Sequence, residues 1–272
     1  MKGFRTSVVL LLAAACGAAQ AASVTPHRAF YDVSLDTAQS GGGLRSADGK
    51  LGFEIQDAGC DGWTVNFRMA NSFASSEGAA RLVDTQSTTY ESRDGTRLDY
   101  AEKSYANNKL DSETRLQIAR ESKDVEGKGD IKLPEAKSFT LEKAAKFPMQ
   151  HQLHMMDLAA AGETHDASVV FDGSDGDKAM KAITFIGKLR AAGQEVRGTD
   201  AEPAKVLAGL KSWPVTVSYF DPAGDNPDVP SYTVSFDLFE NGVAAGLKMD
   251  YGTFKLVGRL KTLELLPKES CN

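Results

Sequence analysis

The chain has 272 residues, 42% hydrophobic and 25% charged, with a formal net charge of −6. That balance excludes a mostly disordered polypeptide, and the length is enough to bury a core without a dense disulfide framework. Its acidity, with dispersed cations, excludes nucleic acid as a partner and disfavours adhesion to anionic lipid, because both depend on clustered Lys and Arg.

The amino terminus reads as an export signal. Met1-Lys2-Gly3-Phe4-Arg5 carries two cations, Val8 to Ala15 is an uninterrupted apolar run, and Ala19-Gln20-Ala21 supplies the small residues of a cleavage site. Residues 1–21 are therefore expected to be removed, leaving 22–272 as a single domain in the periplasm. Loss of Lys2 and Arg5 takes the net charge from −6 to −8. The apolar run falls short of the ~20 residues that span a bilayer, and no later segment approaches that length. Cys16 lies inside the signal. An alternative makes Ala13-Ala14-Ala15-Cys16 a lipobox with a lipid anchor at Cys16, although Ala13 stands where Leu is preferred.

Period-two alternation of apolar and polar residues dominates the chain beyond the signal and predicts half-buried strands. Tyr31, Val33 and Leu35 alternate first, then Trp63, Val65, Phe67 and Met69, then Leu98 and Tyr100, and Leu116 and Ile118. Arg93-Asp94-Gly95-Thr96 carries an Asx-Gly pair that favours a hairpin. Pro148 fits a first helical turn, Met149, Leu153, Met156 and Ala160 share one face, and Gly162 is placed for a C-cap, so 148–161 is predicted as a helix. A second, weaker helix is predicted over 203–211. Trp213-Pro214 returns the chain to strand, and Asp221 to Pro230, with three prolines and three aspartates, reads as a loop. The carboxyl-terminal third alternates most regularly, through Val215, Val217 and Tyr219, then Tyr232, Val234, Phe236 and Leu238, then Phe254, Leu256, Gly258 and Leu260. Glu240-Asn241-Gly242-Val243 supplies a second hairpin turn. The outcome is one all-β domain, an antiparallel meander with inserted helix, whose sheet must close, curl or pack to protect its edges. Curling leaves a concave apolar interior.

Few residues carry chemistry. With Cys16 removed, Cys60 and Cys271 remain, a pair that suits a bridge in an exported protein. Free thiols, an intermolecular bond and a redox pair stay open, the last without any Cys-x-x-Cys motif. His151 and His154 share a helix face, with His165 further on, a spacing a metal-dependent hydrolase could use. Gln152 replaces the Glu of a zincin helix, so two polar residues on a helix shoulder is the plainer reading. Asp172-Gly173-Ser174-Asp175-Gly176-Asp177 resembles a calcium loop, but Gly176 and Asp177 are out of order and Ile183 stands where a bidentate Glu belongs. A polar hairpin loop is simpler. No nucleophile elbow, Walker loop or dinucleotide fingerprint occurs. Phe30, Tyr31, Trp63, Phe67, Phe236 and Phe239 read as core and edge packing rather than a ligand cage. No catalytic residue, metal or cofactor is expected.

Several segments, in order, resemble the EipB family of periplasmic envelope-integrity proteins of α-proteobacteria. They are His27-Arg28-Ala29-Phe30-Tyr31, Gly59-Cys60-Asp61-Gly62-Trp63, Tyr90-Glu91-Ser92 with Asp94-Gly95, Phe147-Pro148, Phe171-Asp172-Gly173, Phe239-Glu240-Asn241-Gly242-Val243, Met249-Asp250-Tyr251-Gly252 and the terminal cysteine. The resemblance covers essentially the whole mature chain. It implies a spiral-like open β-barrel of mostly antiparallel strands with one or two inserted helices, and a disulfide between the positions held here by Cys60 and Cys271. It further implies a non-enzymatic protein that supports envelope integrity and stress tolerance, with a tetratricopeptide-repeat periplasmic partner; the concave apolar sheet suits a lipid-like ligand as well, and a monomer is expected. A dedicated lipid or lipoprotein carrier is the competing implication.

Overall fold

The structure, a computed structural model, describes residues 22–38, 44–75 and 78–270. The signal segment, Cys16 and Cys271 lie outside them. In the first half of the chain the strands are β1 (His27–Ala38), β2 (Leu44–Ala58), β3 (Gly62–Ser75), β4 (Arg81–Ser92), β5 (Arg97–Ala106), β6 (Lys109–Ala119), β7 (Gly127–Leu133) and β8 (Lys137–Leu141). The short β9 (Ala145–Lys146) precedes helix α1 (Pro148–Ala161), followed by β10 (His165–Val170), β11 (Met180–Ile186), helix α2 (Ala201–Leu207), β12 (Ser212–Phe220), β13 (Tyr232–Phe239), β14 (Ala244–Asp250) and β15 (Phe254–Leu265).

All fifteen strands join one sheet in the order β8-β7-β6-β5-β4-β3-β2-β1-β15-β14-β13-β12-β11-β10-β9. The first and last strands thus pair at its centre, through the antiparallel β1–β15 ladder, and the middle of the sequence supplies its two edges. Every described pair is antiparallel except β9–β10, which α1 connects as a crossover. The sheet is nearly closed and barrel-like, with two helices; the alternation predicts its strands, and the family resemblance implies the curl into a barrel of mostly antiparallel strands with inserted helices.

Rows of side chains explain the curl. Leu51, Phe53 and Ile55 of β2 stand directly opposite Met69, Phe67 and Val65 of β3, so apolar pairs line one face. Across the next ladders the same rows continue as Thr85, Ser87 and Thr89 on β4, then Ser104, Glu102 and Tyr100 on β5. The inner face is therefore apolar on one wall and hydroxyl-rich on the next. That change hides β4 from a hydrophobicity scan.

Turn chemistry follows the residues. Gly95 (φ 70°) and Gly242 (φ 85°) adopt the left-handed backbone in the two Asx-Gly turns. The β5–β6 hairpin achieves the same with Asn107 (φ 51°) and Asn108 (φ 64°), residues that tolerate this region better than most.

Helix α1 has the predicted bounds, with Pro148 in its first turn and Gly162 (φ 82°) closing it. Its buried face is rotated from the predicted stripe. Met149 and Met156 are buried, but the rest of that face is His151, Met155 and Ala159, while Leu153 is half-buried and Ala160 exposed. Helix α2 begins and ends earlier than predicted, over Ala201–Leu207 instead of 203–211. Asp200 is its N-cap position, and Leu210 N–H already turns back to Leu207 O.

The two edges of the sheet meet at a seam. Phe139 of β8 packs on Phe171 with ring centroids 5.7 Å apart, and Lys137 pairs with Asp177 at 2.5 Å. Behind them, the buried Arg120 donates to Gly95 O, Ala145 O and Gln150 Oε1, with its guanidinium 4.5 Å from the centroid of the fully buried Phe147 ring.

Candidate functional site

Helix α1 turns its buried face onto the inner surface of the sheet, and a cavity of about 220 Å³ remains between them. Strands β1 and β2 contribute His27, Tyr31 and Phe53; α1 contributes His151, Gln152 and Met155; Tyr219 and Phe236 close the far wall, with Asp172 at the β10 end. The walls are mainly apolar, with a few fixed polar atoms, the composition typical of small-molecule pockets.

Each polar atom has a defined role. His27 Nδ1 lies 2.7 Å from Thr25 O, and because a carbonyl only accepts, Nδ1 carries the hydrogen. Burial lowers the His27 pKa, so the ring is neutral at pH 7 and its Nε2 is an acceptor. Tyr31 donates its hydroxyl to Ala244 O at 2.7 Å, and desolvation pushes the phenol above its ordinary range. Gln152 Nε2 donates to Gly242 O at 2.8 Å, tying α1 to the β13–β14 turn across the cavity. Asp172 Oδ1 accepts Ser174 N–H and O–H at 2.9 and 2.7 Å.

His151 differs from these. Its side chain is 3% exposed, and Nε2 is buried without a hydrogen-bond partner. Desolvation pulls its pKa to about 4, with Lys146 and His154 acting in the same direction and Asp166 against them. A buried polar nitrogen without a partner is uncommon in folded proteins, and here its side chain stands at a cavity wall.

The predicted histidine trio does not converge. His151 faces this cavity, His154 Nε2 sits 3.2 Å from Asp166 Oδ1, and His165 is exposed beside Thr164. Among the described residues no three His, Cys, Asp or Glu side chains gather as a metal site would require. The acidic 172–177 segment is the polar loop between β10 and β11, with Asp177 held by Lys137. Of the six aromatic residues noted in the sequence, Tyr31 and Phe236 belong to the cavity wall, and Phe30 is 47% exposed on the outer face.

Cys60 occupies the exposed turn between β2 and β3, and Cys271 lies outside the described residues. The tail nevertheless runs towards that turn. Leu266 N–H bonds Pro26 O at 2.8 Å, and Glu269 N–H bonds Asp57 Oδ2 at 3.1 Å.

Sequence reasoning passed over Glu91 and Arg120, which fix the amino-terminal end of α1. Glu91 is fully buried, and burial pushes its carboxyl up to about 8 against two backbone N–H bonds and the Arg120 charge. The available signal was a carboxylate at a core-phase position of β4, directly opposite Trp63.

A larger cavity of about 780 Å³ flanks the carboxyl-terminal end of α1, between Met156, Ile186 and Trp213. Glu163, Lys188, Lys211 and Glu240 share its rim. Its lining holds no buried unpartnered polar atom to fix a ligand.

Comparison with known proteins agrees with this architecture. A family model described as EipB-like matches residues 18–267. The cell envelope integrity protein EipB of Brucella abortus is 32% identical over 267 residues, covering 95% of this chain and 91% of the relative. The crystal structure of a β-barrel-like protein of a domain of unknown function, also from Brucella abortus, superposes with a TM-score of 0.83 at 29% identity, over 91% of this chain and all of that one. The chain belongs to the EipB-like family.

Proposed function

We propose that the protein supports cell-envelope integrity from the periplasm, without catalysis, by holding a lipid-like ligand in the cavity beneath α1. The relative from Brucella abortus that bears the name of a cell envelope integrity protein supports the biological setting. The observation that carries the molecular part is the juxtaposition of apolar walls with the buried, unpartnered His151 Nε2. Such a nitrogen is satisfied at little cost by a ligand head group and poorly by apolar packing.

Two measurements test the proposal. Organic extraction of natively purified protein, followed by mass spectrometry, is expected to yield an enriched amphiphile, and its absence counts against the ligand. Deletion of the gene is expected to raise sensitivity to detergents, with unchanged sensitivity counting against the envelope role. Enrichment of a protein in place of a lipid would favour partner binding through the concave sheet.

A further inference from the structure

We infer that the cavity beneath α1 selects an uncharged, hydroxyl-bearing single-chain amphiphile and rejects carboxylate and phosphate head groups. This rests on the lipid-like reading of the same cavity and goes beyond it by naming the head-group chemistry.

The first argument is the direction of the hydrogen bonds. With Nδ1 donating to Thr25, His27 offers only a lone pair at Nε2. Tyr31 has spent its only donor on Ala244 O, which leaves its oxygen as an acceptor, whereas Gln152 has used one amide hydrogen on Gly242 O and keeps a second beside its acceptor oxygen, and the Tyr219 hydroxyl can both donate and accept. Asp172 only accepts when ionised. The lining thus presents both acceptors and donors and calls for a group that can donate and accept.

The second argument is charge. Among the described residues no Lys or Arg lines the cavity, and the one formally charged side chain there is Asp172. An anionic head group would be buried beside a like charge with no counter-ion, which strongly disfavours its entry. An ammonium only donates, so it would leave the second Gln152 N–H without an acceptor, and His151 as well if that nitrogen carries its hydrogen. A hydroxyl both donates and accepts. It satisfies His27 Nε2 and serves His151 Nε2 in either tautomer.

Size sets the third limit. A volume of about 220 Å³ corresponds to roughly seven waters at about 30 Å³ each, room for a glycerol-sized head and the first carbons of one chain. From there the half-buried Phe53, Phe67 and Met69 extend the apolar wall along the inner face of β2 and β3.

The test compares three octyl-chain probes at pH 7 by isothermal titration calorimetry on the purified native protein: 1-monooctanoylglycerol, octanoate and octylammonium. Monooctanoylglycerol is expected to bind about tenfold or more tightly than either charged probe, the worth of one or two well-made hydrogen bonds. His151→Phe, which keeps the bulk and removes the polarity, is expected to lose about tenfold for monooctanoylglycerol alone, and His151→Gln to recover part of it. Octanoate or octylammonium binding as tightly as the glyceride would overturn the head-group assignment and leave the lipid-like reading standing. Absence of binding by all three probes would overturn both. Should His151→Phe fail to fold by circular dichroism, the three-probe order on the unaltered protein decides alone.

Discussion

The Glu91 carboxyl group of β4 caps helix α1 from outside the helix, accepting Met149 N–H at Oε2 (2.7 Å) and Gln150 N–H at Oε1 (2.9 Å). The N-cap residue itself is Phe147, whose ring has no acceptor, so a strand distant in sequence supplies what the local sequence lacks. Glu91→Ala is expected to cost about 2–3 kcal/mol, because two buried amides lose their acceptor. Glu91→Gln retains one acceptor oxygen and is expected to lose about half as much. Urea unfolding of the three proteins checks the order. Equal stability of the Ala and Gln variants would show that the acceptor atoms do not matter.

His151 predicts a dependence on pH. Its imidazole titrates at about 4 in the folded protein against 6.5 when free, so the unfolded chain takes up a proton first as pH falls. Stability from this group is complete above pH 6.5 and is lost between there and about pH 4, by about 3 kcal/mol in all. His151→Phe removes the titration. The stability difference between the two proteins is therefore expected to shift in favour of the variant from pH 7 to pH 5. A difference constant over that range would refute the assignment.

We propose that Cys60 and Cys271 form a disulfide. The tail supports this, since Glu269 reaches Asp57 at the end of β2, and Asp57 also holds Arg93 at 2.5 Å. Cys60→Ser is expected to lower stability by about 2–4 kcal/mol under oxidising conditions. Reductant should produce the same loss in the unaltered protein and none in the variant. A melting temperature insensitive to reductant would argue against the bond.

The seam gives a fourth expectation. Phe139→Ala removes the ring contact with Phe171 and is expected to cost about 2 kcal/mol, below the range for a fully buried Phe because Phe139 is only half-buried. The loss should be local. Hydrogen exchange is expected to quicken in β7 and β8 while β1 and β15 keep their protection, and uniform acceleration would contradict a separable seam.

How much of this the sequence announced depends on how local the cause is. Helix α1 is legible to the residue because Pro148 and Gly162 act within a turn of its ends. Its buried face is not, because burial of His151 in place of Ala160 is decided by what the sheet presents below. Strand β4 is hard to see because Thr85, Ser87 and Thr89 put hydroxyls where a scan expects hydrocarbon, and the Asn107-Asn108 turn escapes a search for Asx-Gly. The cavity is the least legible feature. His27 and His151 share no motif, and only the long β1–β15 closure and the crossover helix bring them to one chamber. The predicted Asp-rich loop and histidine trio show the converse, where proximity in sequence does not produce a common site.

The strand order has a consequence for how the protein can be rebuilt. Because the carboxyl-terminal tail passes Pro26, with Leu266 N–H bonded to its carbonyl, the chain just before β1 and just after β15 is close enough to be spliced by a short linker. New termini opened at 142–144, between β8 and β9, would leave every strand pair intact. Such a circular permutant would place all hydrogen-bonded neighbours consecutively along the chain, so its folding should be faster, since the one pairing that waits on the whole length of the original chain becomes a hairpin.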